Sequence, residues 1–93
     1  MHQRGLLHEA RRIYEQILNI DANHFDALYL LGVVAMQLNE HELAIKLITR
    51  AIEINPHSDV CFYNLGVALQ ALGRFDEAVA SYDQAIRIEP AHA

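Results

Sequence analysis

Two prolines constrain this chain more than any other residues. Pro56 closes the triplet Ile54-Asn55-Pro56, and Pro90 closes Ile88-Glu89-Pro90 at an offset of 34 residues. At that offset Tyr29 falls on Tyr63, Leu31 on Leu65, Gly32 on Gly66 and Val33 on Val67. Further along, Leu38 meets Leu72, Ala44 meets Ala78, Ala51 meets Ala85 and Ile52 meets Ile86. A fixed period in the range of about 20–50 residues marks a solenoid, in which one supersecondary unit stacks on copies of itself. Such stacks offer extended surfaces to other macromolecules.

The unit is helical. Leu28, Leu31, Val34, Ala35 and Leu38 recur at helical spacing, as do Phe62, Leu65, Leu69 and Leu72. Small residues at Gly32, Gly66, Ala44 and Ala78 let two helices approach closely. Pro56 and Pro90 cannot continue a helix. Gly73 permits the left-handed turn between helices, and Asn39, at the equivalent place, tolerates it. Ser58 reads as an N-cap, and Asp59 and Asp76 suit the positive ends of helix dipoles. These signals predict five helices over 6–19, 24–38, 40–54, 58–72 and 75–88, with no strand. The fold class is all-α, an α-solenoid of period 34.

At this period the pattern resembles the tetratricopeptide repeat, a helix–turn–helix unit. The stretch 59–92 carries Phe62, Leu65, Gly66, Leu69, Gly73, Ala78, Tyr82, Ala85 and Pro90 at the family's spacing. The stretch 25–58 carries Leu28, Leu31, Gly32, Ala35, Ala44, Ala51 and Pro56. It departs at Asn39, where Gly is usual, and at Ile48, where an aromatic is usual. The stretch 1–24 is half a repeat. Gly5, Ala10 and Tyr14 fall on its turn, small and aromatic positions, while Ile17 replaces Ala and Ala22 replaces Pro. The resemblance implies one domain, 1–93, made of this half repeat and two full ones.

Composition removes several classes of function. An apolar fraction of 53% is too high for a disordered chain. The longest apolar run, near 27–36, is well short of the roughly 20 residues that span a bilayer, so no membrane partner is expected. Met1-His2-Gln3-Arg4 is not followed by the apolar core of a secretory signal. The single Cys61 has no internal disulfide partner, and its place beside Phe62 in a helix reads as a packed thiol. A lone thiol and no leader point to the cytoplasm. The net charge of −5 offers no basic face for nucleic acid.

No reaction chemistry converges either. His8-Glu9 and His41-Glu42 each begin the zinc-peptidase pattern, but the second His one turn later is missing. His24, His57 and His92 fall near repeat junctions and read as loop histidines. The four glycines stand singly, so there is no phosphate loop. No cofactor, metal or catalytic residue is expected, and the chain reads as a non-enzyme whose partner is a protein or peptide.

The resemblance also places the binding groove, which in this family is lined by the first helix of each repeat. It implies Asp26, Tyr29, Leu30, Val33, Met36 and Gln37 in one repeat and Val60, Tyr63, Asn64, Val67, Gln70 and Ala71 in the next. This strip is mostly apolar with two tyrosines in register, and Tyr combines apolar area with a hydrogen-bonding tip. Some members grip a C-terminal carboxylate with Lys and Arg on these helices. Neither full repeat has a Lys or Arg there, so no such clamp is expected. Other members tie a peptide backbone with an Asn at the place that Asn64 occupies and Leu30 does not. The stretches 30–35 (LLGVVA) and 64–68 (NLGVA) are also similar to the repeats that precede bacterial O-GlcNAc-transferase-like catalytic domains. That likeness implies a second reading, a substrate-recognition fragment of a larger enzyme.

A solenoid unit is stabilised by its neighbours, and about three units with polar caps are normally needed. The first helix is apolar over more than one stripe and lacks a preceding partner, and the last ends on Tyr82, Ile86 and Ile88. If roughly 300–400 Å² stays open at each end, about 8–10 kcal/mol of burial per end is unused, as an upper bound. Self-association through uncapped ends, as a homo-oligomer, is therefore expected, unless a longer solenoid supplies the missing neighbours.

Overall fold

The structure is a computed structural model that describes residues 2–89. Met1, Pro90 and His92, used in the readings above, lie outside the described residues. Five helices follow one another: α1 (His2–Ile20), α2 (Phe25–Gln37), α3 (His41–Ile54), α4 (Asp59–Ala71) and α5 (Phe75–Ile88). The last four match the predicted spans within one residue at each end.

The 34-residue period governs the backbone as well as the side chains. Asn39 and Gly73 take the left-handed turn with φ of 65° and 76°. In both turns a main-chain bond closes back onto the preceding helix, Glu40 N–H to Ala35 O at 2.8 Å and Arg74 N–H to Leu69 O at 2.9 Å. The longer connections repeat too. Asp21 Oδ1 and Asn55 Oδ1 each accept from the amide two residues on, both at 3.1 Å. His24 Nδ1 then caps α2 by accepting from Ala27 N–H, and Ser58 Oγ caps α4 by accepting from Cys61 N–H.

One expectation fails. Gly5 aligns with Asn39 and Gly73, yet it lies inside α1, which runs on to His2. Its backbone is not left-handed, and a side chain there would meet open space. Helical geometry gives each added residue a hydrogen bond, and nothing packs beside Gly5 to turn the chain away.

Each helix packs on its neighbours in sequence, and α2 also meets α4. Among the described residues the backbones of α1, α3 and α5 do not approach one another. The stack therefore has a tighter side, formed by α2 and α4, and a wider side. The core lies where α2, α3 and α4 meet. Leu28, Ile48, Ala51 and Cys61 are buried there, flanked by Leu18, Phe25, Tyr29, Leu47, Ile52 and Leu65. A second cluster joins Ala35, Ala44 and Ala68. The helical glycines explain the close approach within each repeat. A Cβ on Gly32 would lie 2.6 Å from Ile48 Cγ1, and one on Gly66 would lie 2.6 Å from Tyr82 Cε1.

Polar contacts tie successive units together. Arg11 on α1 donates to Glu40 in the α2–α3 turn at 2.9 Å. This bond holds the Glu40 carboxyl below its ordinary value, with slight burial pulling the other way. Arg50 on α3 donates to Ala22 O and Asn23 Oδ1, closing over the α1–α2 connection. Arg74 pairs with Glu77 at 2.8 Å and lies 4.0 Å from Glu42 of the unit before.

Candidate peptide-binding face

The residues implied for the groove lie on α2 and α4, on the tighter side of the stack. None of them is buried. Asp26, Leu30, Gln37, Val60, Tyr63, Gln70 and Ala71 are exposed, and Tyr29, Val33, Met36, Asn64 and Val67 are half-buried. This follows from the repeat pattern. The stripe of α2 through Leu28, Leu31 and Ala35 is committed to the core, so the positions beside it are left facing outward.

Two subsets are joined by contacts. Asn64 Nδ2 donates to Tyr29 Oη at 2.9 Å and to Val60 O at 3.2 Å. Both amide protons of Asn64 are thus engaged. Its Oδ1 is left as an acceptor, and the Tyr29 hydroxyl, having accepted, still has a proton to donate. Burial pushes the Tyr29 phenol above its ordinary value, Cys61 adds to the rise, and the bond from Asn64 opposes it. The hydroxyl therefore stays protonated at neutral pH and acts as a donor.

The second subset centres on Tyr82 of α5. Its ring lies 5.8 Å from that of Tyr63 at an interplanar angle of 49°, a tilted aromatic pair. Its hydroxyl donates to Gln70 Oε1 at 2.8 Å. Tyr82 thus braces two of the implied groove residues from behind. The two tyrosines in register differ in their neighbours, since Tyr29 bonds to α4 while Tyr63 stacks on α5. Asp26, Leu30, Val33, Met36, Gln37 and Val67 are linked to neither subset by the polar or ring contacts described. Met36 packs instead against the small-residue cluster.

Sequence reasoning missed the Tyr29–Asn64 bond. Its signal is a spacing of 35 residues, one more than the period, which sets a fifth position on one unit beside a sixth position on the next. It also gave Tyr82 only its family role as the repeat's aromatic.

Cys61 is buried on α4 beneath this face. Burial pushes its thiol up, the Ser58 bond works against this, and Asp59 adds to the rise. Such a thiol is a packing group. Among the described residues no three His, Cys, Asp or Glu side chains are placed to share a metal ion. No helix among them is long and apolar enough to cross a membrane.

This combination of period, turns and paired helices defines a tetratricopeptide-type solenoid. The family model described as anaphase-promoting complex, cyclosome, subunit 3 matches residues 3–85, and the chain belongs to that family of tetratricopeptide-type repeats. Tetratricopeptide repeat protein 7B of Homo sapiens is 33% identical over 86 residues, which is 92% of this chain and 10% of that protein. The crystal structure of MamA superposes with a TM-score of 0.89 at 29% identity, over 92% of this chain and 50% of that one. An O-GlcNAc transferase mutant from Thermobaculum terrenum superposes with a TM-score of 0.88 at 28% identity, over 96% of this chain and 17% of that one. The chain spans about a tenth of the length of the curated relatives it matches first. It is a protein-interaction module on a non-catalytic fold.

Proposed function

We propose that the face shared by α2 and α4 binds an extended peptide segment of another protein, and that the chain also self-associates through the open faces of its first and last helices. The Tyr29–Asn64 pair carries the first part. A hydroxyl proton and a carboxamide oxygen stand side by side on an exposed strip, and together they match the C=O and N–H of a peptide backbone. Tyr63 and Val60 supply apolar area next to them. A peptide library displayed on a solid support tests the reading. Asn64→Ala and Tyr63→Ala each weaken capture of the selected peptides by about fivefold to tenfold, as expected for one interfacial hydrogen bond or ring. Helicity by circular dichroism stays unchanged. Loss of helicity alongside binding makes these residues structural and removes the groove.

Self-association draws support from the apolar exposure of α1 and α5, and is tested by the solution mass across a wide concentration range. The buried lone thiol suits a reducing compartment such as the cytoplasm. A second reading makes the chain the part of a glycosyltransferase that selects its protein substrate. It draws on the likeness to the O-GlcNAc transferase structure, and a catalytic domain in continuous sequence with this one is its test.

A further inference from the structure

The open face of α1 departs from the same face of α3 and α5 at two positions, Leu6 and Ile17. Leu6, Ala10, Ile13, Ile17 and Ile20 lie within about 40° of one line along α1, at roughly 100° per residue. Leu6, Ile13 and Ile20 are 67%, 50% and 90% exposed. The face turned toward α2 is a different one, about a quarter turn or more away, and carries Leu7, Arg11, Tyr14 and Leu18. In the full repeats, the positions equivalent to Ala10 and Ile17 are Ala44 and Ala51, then Ala78 and Ala85. All four are buried against the helix that precedes them. That packing needs small residues, and Ile17 does not meet the need. Leu6 stands where the other units place Glu40 and Arg74, while Ile13 answers to Leu47 and Ser81 and Ile20 to Ile54 and Ile88. An inner helix packed as α2 packs on α3 would meet Ile17 where the full repeats offer Ala51 and Ala85, and Leu6 where they offer a charged residue.

The face fits a copy of itself. Leu6, Ile13 and Ile20 are spaced by seven residues, the repeat of a helix-pair seam. The stripe is symmetric about Ile13, so two antiparallel copies set Ile13 on Ile13, Leu6 on Ile20, and small Ala10 near large Ile17. The helix is long enough, because it continues straight through Gly5 to His2 instead of turning. Glu9 and Arg12 flank the stripe on its free side, so that flank carries one charge of each sign. The open stripe of α5 is flanked by Asp76 and Asp83, and α5 as a whole carries three acids against one arginine, so a symmetric α5 pair opposes like charges.

We infer that α1 forms the seat of a two-fold dimer, an antiparallel α1–α1 pair centred on Ile13. This rests on the self-association reading and adds its location and symmetry. The open apolar area, roughly 300–400 Å² per copy, is about half that of a standard interface, so the dimer is reversible and concentration-dependent.

Cysteine scanning of the 93-residue chain under mild oxidation, with the unsubstituted chain as the control for Cys61, tests this alongside light scattering. Ile13→Cys alone gives a disulfide-linked dimer. Leu6→Cys and Ile20→Cys alone do not, since each stands about 21 Å from its own mate, but mixing the two gives a linked heterodimer. Ile13→Glu raises the concentration at which dimer forms by more than about tenfold, through two buried charges. Val79→Glu leaves it unchanged. If the chain dimerises without these cross-links, or if Val79→Glu abolishes the dimer, the α1 pair is wrong while self-association stands. Efficient self-linking at Leu6 and Ile20 shows a parallel pair and also overturns it. A monomer at every concentration removes both readings.

Discussion

The middle repeat and the last repeat follow one plan and end in different environments. In α3 the face carrying His41, Ile45, Ile48 and Ile52 meets both the preceding and the following helix, with Ile48 against Gly32 of α2 and clustered with Cys61 of α4, and Ile48 has no exposed surface. In α5 the equivalent face carries Phe75, Val79, Tyr82 and Ile86. There Phe75 and Val79 are 61% and 57% exposed, and Tyr82 is half-buried. The two faces share spacing and apolar character. What differs is the neighbour, so in this fold burial is conferred by the next unit and cannot be read from a unit's own residues.

Truncating the shared position should expose this contrast most strongly. Ile48→Ala is expected to cost about 3–5 kcal/mol, because it empties a fully enclosed site. Tyr82→Ala should cost about half as much, since part of the ring already faces water. Urea unfolding at a concentration that keeps the chain monomeric measures both, and equal losses break the comparison.

Adding a methyl on the opposite side of the same contacts sharpens it. Gly32→Ala drives a Cβ into the enclosed Ile48 and should cost about 2 kcal/mol. Gly66→Ala meets the half-exposed Tyr82 ring, which can swing outward by loosening its contacts with Tyr63 and Gln70. The better helix propensity of Ala, about 1 kcal/mol, then offsets most of the clash. The expected change in unfolding midpoint is small.

A third pair extends the contrast to α1. Gly73→Ala places a Cβ in a left-handed turn and should destabilise by about 1–2 kcal/mol. Gly5→Ala, at the equivalent position, should stabilise by about 1 kcal/mol, because Gly5 lies in a helix with open space around it. Opposite signs at equivalent positions confirm that α1 does not turn there.

The smallest effect is acid sensitivity. The depressed carboxyl of Glu40 contributes stability above its ordinary value of 4.5, and that contribution is lost as pH falls through the lowered value in the fold. Glu40→Gln should therefore flatten part of the fall in melting temperature between about pH 6 and about pH 3. The Glu77 carboxyl is lowered in the same way by Arg74, but that pair is three residues apart on one unit. Glu77→Gln tests whether the pair that joins two units matters more than the local one.

Most of the fold was legible because it is local and repeated. The spacing of Leu28, Leu31 and Ala35, the left-handed turn at Gly73 and the cap at Ser58 each depend on residues within one unit. The path of α1 through Gly5 was not legible, because a turn residue acts as one only where a second helix packs back. The Tyr29–Asn64 bond was hidden for a related reason. It spans two units, and the rotation between stacked units leaves no mark in the periodicity of either. Every residue implied for the groove lies on α2 or α4 without being buried. Which of them touch one another was set by side-chain reach across units.

The packing of these helices, almost all of it between neighbours in sequence, also sets an order of events in time. Among the described residues no strand or long loop must close before the others form, so folding can begin at the middle pair and spread outward, and it should be fast for a chain of this length. Opening should run the other way, with α1 and α5 releasing before α3. Amide hydrogen exchange should then fall in a gradient along the chain, slowest near Ile48 and Ala51 and faster toward both ends. A binding partner on α2 and α4 would slow that unzipping from the centre, and so would act as a brake on turnover as well as a ligand.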